Sequence, residues 1–281
     1  MSNKKNLKLD FFFFEVILFL LVQIFGLFCG LTFSKMPASR QALVQQSVEP
    51  ITWWYFIIYF LVASLALYLA VKFIKGKKPF KFFYVFLLFF GSFFVFNIWF
   101  DEFISAIFSF LILLLRYAFP RVLTHNLGLS LAVVGASVAL GLSVKPSHVI
   151  IILIFLSIYD MIAVWKTKHM VAMFKGLVQR GVYFAIIIPK RMRGLATRMS
   201  QTQASPDHIF LGTGDIAFPI IFAVSALRQS LVASILIIVG ALLGLAFIHF
   251  VFLTRPERKP VPALPPISVG CILGYIFSFF I

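Results

Sequence analysis

The chain reads as an all-α, polytopic membrane protein with nine transmembrane helices, its N-terminus cytoplasmic and its C-terminus outside. Three observations predict this. Apolar spans of about 20 residues, long enough to cross a bilayer as helices, recur from one end to the other. Of 281 residues, 62% are hydrophobic and 37 are Phe, more apolar surface than a soluble domain of this size needs. Basic residues, finally, collect on alternate turns between the spans. The ten-residue alternating segments of a transmembrane barrel do not occur.

The first span, residues 11–33, is too long for the apolar core of a signal peptide and reads as a retained helix. The others fall at about 51–74, 80–98, 102–119, 126–144, 147–165, 208–227, 230–253 and 262–281. Threading these through a bilayer from a cytoplasmic N-terminus leaves only Lys35, Arg40, Lys145 and Arg228 outside. The remaining 21 of 25 basic residues lie inside, and the positive-inside rule sets the orientation accordingly. Trp53, Trp54, Trp99 and Trp165 fall at span ends, where interfacial belts place tryptophan. A net charge of +16 that sorts by membrane side is no sign of nucleic-acid binding. Cys29 and Cys271 lie within spans and suggest no disulfide framework.

Three regions follow. Residues 1–165 carry helices one to six, 166–207 form a cytoplasmic connection, and 208–281 carry helices seven to nine. Within the connection, Met170–Gln179 mixes apolar and basic residues as an interfacial amphipathic helix does. Val182–Ile188 is β-prone and ends at Pro189. It reads either as a membrane-dipping segment or as a strand that pairs with an extended substrate. Arg193 to Asp207 is polar.

Two acids sit inside spans. Asp160 lies in the sixth and Asp215 in the seventh, with no Lys or Arg inside either. An acid at the centre of a membrane helix costs roughly 2.5–3.5 kcal/mol on insertion scales, which marks such residues as functional candidates. Asp160 precedes Trp165, at the inner end of span six, by five residues, and Asp215 follows His208, at the inner end of span seven, by seven. At about 1.5 Å per residue both lie about 8–11 Å below the inner surface. Two carboxyls that meet share a proton, so one serves as base and the other as acid.

Local motifs surround them. Gly212-Thr213-Gly214 precedes Asp215, and glycine permits close backbone approach. Tyr159, beside Asp160, can donate a hydrogen bond or line a pocket. Pro262-Ala263-Leu264 opens the ninth span amid Pro260, Pro265 and Pro266, which predicts an irregular, partly extended start lining a cavity. Read alone, the glycines also suit helix packing and the proline a helix start. Glu15, near an inner helix end, is expected to snorkel to the interface, and His249 to be packed or interfacial.

Tyr-Asp in a sixth span, Gly-x-Gly-Asp in a seventh and Pro-Ala-Leu at a ninth, in that order over essentially the whole chain, resemble the presenilin-type intramembrane aspartyl proteases, and in particular a compact archaeal homologue. The resemblance implies an aspartic endopeptidase that cleaves transmembrane substrates with Asp160 and Asp215. It implies motif support from Tyr159, Gly212, Thr213 and Gly214, and a substrate cavity shaped by Pro262, Ala263 and Leu264. It implies no metal and no other cofactor. Thr213 stands where animal relatives usually carry leucine. Signal peptide peptidases share the motifs with inverted topology, and the charge distribution favours the presenilin orientation. Partners are membrane-embedded protein or peptide substrates and the lipid bilayer, and a homo-oligomer is compatible with this reading.

The competing class is a proton-coupled transporter or channel, which also uses intramembrane acids but predicts internal repeats that the sequence does not display. A prepilin-peptidase-like protease shares Gly-x-Gly-Asp without the third motif. The His-Glu-x-x-His zinc signature is absent, as is a Gly-x-Ser-x-Gly serine motif.

Overall fold

The computed structural model describes residues 2–37, 52–189, 192–202, 208–253 and 260–281. Of the residues that entered the charge count, Arg40, Lys190, Arg191, Arg255, Arg258 and Lys259 lie outside the described residues, as do Ile51 and residues 203–207.

Long apolar runs become helices because a chain in hydrocarbon must satisfy its own backbone polar groups. In order these are α1 (Ser2–Ser34), α2 (Trp53–Phe73), α3 (Lys78–Asn97), α4 (Glu102–Ala118), α5 (Val122–Ser143) and α6 (Pro146–Met161), the last continued by a π-helical turn, Ile162–Lys166. Next come α7 (His169–Gln179), strand β1 (Ala185–Pro189), a 3-10 turn (Met192–Ala196), the short α8 (Met199–Thr202) and strand β2 (His208–Gly212). The chain ends with α9 (Thr213–Ala226), α10 (Leu231–Ile248) with a π-helical turn at His249–Leu253, and α11 (Leu264–Phe277). Among the described residues six helices are long and apolar enough to span a membrane, and two further apolar helices, Thr213–Ala226 and Leu264–Phe280, are shorter.

The all-α expectation is amended by one sheet. β1 and β2 pair antiparallel, with Ala185 opposite Gly212 and Pro189 opposite His208. Residues 208–212, expected to open a helix, are therefore extended. Their backbone bonds go to β1, and helical geometry begins only at Thr213. β1 is buried along its whole length. Its outer edge is taken up by α5: the Asn126 amide accepts from Ile187 N–H at 2.9 Å and donates to Ile187 O at 2.7 Å, and His125 Nε2 bonds Ala185 O at 3.0 Å. The strand thus has its partners inside the chain, and a substrate cannot add to it on that side.

α5 is the central helix, packed against α1, α3, α4, α9 and β1. Small residues permit this. A β-carbon at Gly135 would collide with the backbone of Gly91 on α3. At the periphery α2 has no buried residue and rests on α6 and α7. Two buried ionisable residues pair within the bundle. Glu15 does not snorkel: it is 1% exposed and its carboxylate lies 2.6 Å from His249 Nδ1. The reason is energetic, since an unpaired charge at that depth is costly and a partner from α10's end is within reach.

Candidate active site

Three helices converge on the two aspartates. α6 carries Asp160, α9 carries Asp215, and α11 packs against both. Asp160 falls on the penultimate residue of α6, directly before the backbone widens into a π-helical turn, a distortion often found beside functional sites. Its side chain is buried.

Asp215 is the third residue of α9, whose N-cap is Gly212. From there its carboxyl reaches back to the Gly212 N–H. The reach requires a glycine: a β-carbon at Gly212 would stand 2.9 Å from Asp215 Oδ2. Gly214 differs, because a β-carbon there would meet only the Phe218 ring at ordinary contact distance, 3.6 Å. Four residues beyond Asp215, Pro219 sits inside the helix and offers no N–H to the Asp215 carbonyl. The next carbonyl, that of Ile216, accepts from the buried Gln23 side chain of α1 at 2.9 Å. α9 is thus held at its first turn from both sides.

The Asp160 and Asp215 carboxyls lie within direct electrostatic reach of one another. The third motif meets them. Pro262 is buried and non-helical, Ala263 is the N-cap of α11, and Leu264, its first residue, donates its N–H to Asp160 Oδ2 at 3.3 Å. A helix start leaves several N–H groups without intrahelical partners. Here Pro265 and Pro266 have none to offer, so Leu264 N–H is the donor this turn presents to the acid. Each carboxyl is therefore supplied with a backbone donor from a helix N-terminus.

Of the expected site residues, Asp160, Asp215, Gly212, Pro262, Ala263 and Leu264 come together, and Thr213 and Gly214 lie half-buried in the first turn of α9. Tyr159 turns elsewhere. Its hydroxyl bonds Ser64 of α2 at 2.6 Å and His169 Nε2 at 2.9 Å, and His169 Nδ1 bonds Thr167 at 2.6 Å. It ties α2 and α7 to the helix of Asp160 rather than touching the carboxyl. The sequence reading missed Gln23, His125, Asn126 and the Glu15–His249 pair. Their signal was available, because each is a polar residue in an apolar span or, for His125, directly before one, but the sequence does not name their partners. Among the described residues no group of three or more His, Cys, Asp or Glu is placed to hold a metal ion. A groove of ≈ 900 Å³ between α10 and α11 is apolar and is lined by neither acid.

A family model described as signal-peptide peptidase, presenilin aspartyl protease matches residues 16–281. No curated protein matches the chain. Two solved structures of a presenilin family intramembrane aspartate protease are similar in fold. The C222 crystal form has a TM-score of 0.62 at 21% identity, covering 93% of this chain and 94% of that one. The P2 form has a TM-score of 0.65 at 20% identity, covering 94% and 96%.

Proposed function

The chain belongs to the signal-peptide peptidase and presenilin aspartyl protease family and is an intramembrane aspartyl protease, and on that premise we propose that Asp160 and Asp215 are its catalytic pair. The observation that carries the assignment is their convergence: two acids from different helices, within electrostatic reach, each met by a backbone N–H. With one proton shared between them, the ionised carboxyl takes a proton from water as its oxygen attacks the scissile carbonyl carbon. The protonated carboxyl gives its proton to the carbonyl oxygen. Collapse of the tetrahedral diol breaks the C–N bond. The amine leaves with the proton from the pair, a hydroxyl of the diol returns its own proton to the pair as it becomes the carbonyl oxygen of the new carboxyl group, and one proton again remains shared. Base and acid are not assigned to individual residues, because the pair titrates as a unit.

Gly212, Thr213 and Gly214 set the reach of Asp215, Pro262 to Leu264 close the cavity over Asp160, and Tyr159 positions the end of α6. A helical substrate hides its peptide bonds and has to be extended before cleavage. The outer edge of β2 suits this role. Ile187 turns its N–H and C=O toward Asn126, so Phe210, opposite it, directs its own away from β1. A substrate strand added there runs toward Gly212 and the Asp215 carboxyl beside it. All nine apolar segments cross the bilayer in this reading, with the 166–207 connection in the cytoplasm and the C-terminus outside. The 1–165, 166–207 and 208–281 regions then carry the first acid, the sheet-forming connection, and the second acid with the Pro-Ala-Leu segment.

The test is cleavage of a single-span substrate by purified protein, with and without an aspartyl-protease transition-state analogue. Asp160→Asn and Asp215→Asn are each expected to abolish cleavage while the protein stays folded. Retained cleavage by either variant sinks the assignment.

A further inference from the structure

A second polar site lies at the turn between α4 and α5, on the face that carries the β1–β2 sheet. Residues 197–199, part of the strap joining β1 to β2, fold back on this turn. Val122 N–H donates to Thr197 O at 3.0 Å and Met199 N–H donates to Pro120 O at 2.9 Å, making an isolated antiparallel bridge between Arg121 and Arg198. These bonds flank the bridged pair rather than join it, so Arg121 and Arg198 occupy a non-hydrogen-bonded position. In that position Cα atoms are about 4.5 Å apart and side chains leave on the same face at their closest approach. Both arginines are exposed, and among the described residues neither has a carboxylate partner. Like charges directly opposite one another in a bridge repel. A cleft of ≈ 410 Å³ opens between them, lined by Ala118, Phe119, Pro120, Arg121, Arg198 and Ser200.

An anion resolves this repulsion, and the surroundings specify which one. In the proposed nine-span path, on which this site rests, the turn between α4 and α5 that carries Arg121 lies at the cytoplasmic membrane surface. Along these two helices and the turn between them, Tyr117, Phe119 and Leu123 are each more than half exposed. A phosphate in the cleft, with acyl chains lying along that apolar surface, matches both halves of the site. Guanidinium groups bind phosphate oxygens bidentately, and the first residues of α5 add the positive end of a helix dipole. We propose that Arg121 and Arg198, with Ser200, form a headgroup site for an anionic phospholipid, fastening the β1–β2 strap to the bilayer. The site is independent of the catalytic assignment.

Native mass spectrometry of the purified protein tests it, with phosphatidylglycerol, phosphatidylcholine and inorganic phosphate as separate probes. The parent is expected to retain phosphatidylglycerol in preference to phosphatidylcholine. Each arginine contributes about tenfold, the effect of a charge-assisted hydrogen bond. Arg121→Gln/Arg198→Gln removes the preference, Arg198→Gln alone reduces it, and Arg228→Gln, on the opposite side of the bundle, leaves it intact. The lipid assignment is overturned if the double variant retains phosphatidylglycerol like the parent, or if the parent holds both lipids equally. Displacement of phosphatidylglycerol by equimolar inorganic phosphate also overturns it and makes this a free-anion site.

Discussion

Leu264 N–H points at Asp160 Oδ2 across 3.3 Å, joining the start of α11 to the acid of α6 through backbone rather than side chain. This explains how a segment of apolar residues and prolines contributes to a polar site. The chain stays non-helical through Ala263, and only then presents a donor.

The bond makes a prediction that separates backbone from side chain. Leu264→Pro removes the N–H, whereas Leu264→Ala keeps it and trims only packing. Cleavage is expected to fall at least about tenfold further in the proline variant, the worth of a hydrogen bond to a charged group. Affinity for an active-site inhibitor should fall in parallel. Equal activity of the two variants would mean the bond does not support catalysis.

Gly212 makes a steric prediction. An added methyl group would stand 2.9 Å from Asp215 Oδ2, and the carboxyl has to move. Displacements on this scale at a reacting group can cost about a hundredfold in rate. Gly212→Ala is therefore expected to lower kcat by about that factor with little change in thermal stability. Gly214→Ala, whose methyl group meets only Phe218, should match the parent in stability. A Gly212→Ala enzyme with parental kcat would show that the carboxyl has room to spare.

The pH dependence follows from proton count. Activity needs one proton on the pair, so the rate should rise and then fall with pH, and the two limbs describe the pair jointly. Chelators should leave the profile unchanged. A rate still climbing in strong alkali points to hydroxide chemistry instead.

The apolar spans and the three motifs were legible because each is local: a run of 20 apolar residues or a tripeptide carries its meaning without a partner. What escaped depends on distant partners. His208 to Gly212 looks like a helix start, yet it pairs with Ala185–Pro189, 19 to 27 residues back in the chain. Val182–Ile188 reads equally as a membrane-dipping segment or as a strand, and nothing local says that Ala185–Pro189 would pair with His208–Gly212 or that Asn126 and His125 would close its outer edge. Tyr159 stands next to Asp160 in sequence, and helical geometry sends neighbours to different faces, so its hydroxyl meets Ser64 and His169. Glu15 and His249 are 234 residues apart, and either alone looks interfacial.

That pair carries a stability prediction. Both residues are buried, and their contact is 2.6 Å long. Removing one partner strands the other, at a cost of about 3–5 kcal/mol, while replacing both with apolar residues is close to neutral. His249→Leu should lower the unfolding midpoint in detergent, and Glu15→Leu/His249→Leu should restore most of it. An additive double variant would show that the two side chains are not coupled.

Orientation separates this chain from relatives of inverted topology. Twenty-one of 25 basic residues fall on one side of a nine-span path, so the 166–207 connection is expected in the cytoplasm. Cys29 and Cys271 are buried and should not react with a membrane-impermeant thiol reagent. A cysteine at Ser200, exposed beside the β1–β2 sheet, should stay unlabelled in intact cells and react after lysis. A cysteine at Ser147, near the start of α6, should react in intact cells. The opposite pattern would place the strap and both acids nearer the outer surface. Substrates would then have to present their scissile bonds in the reverse direction.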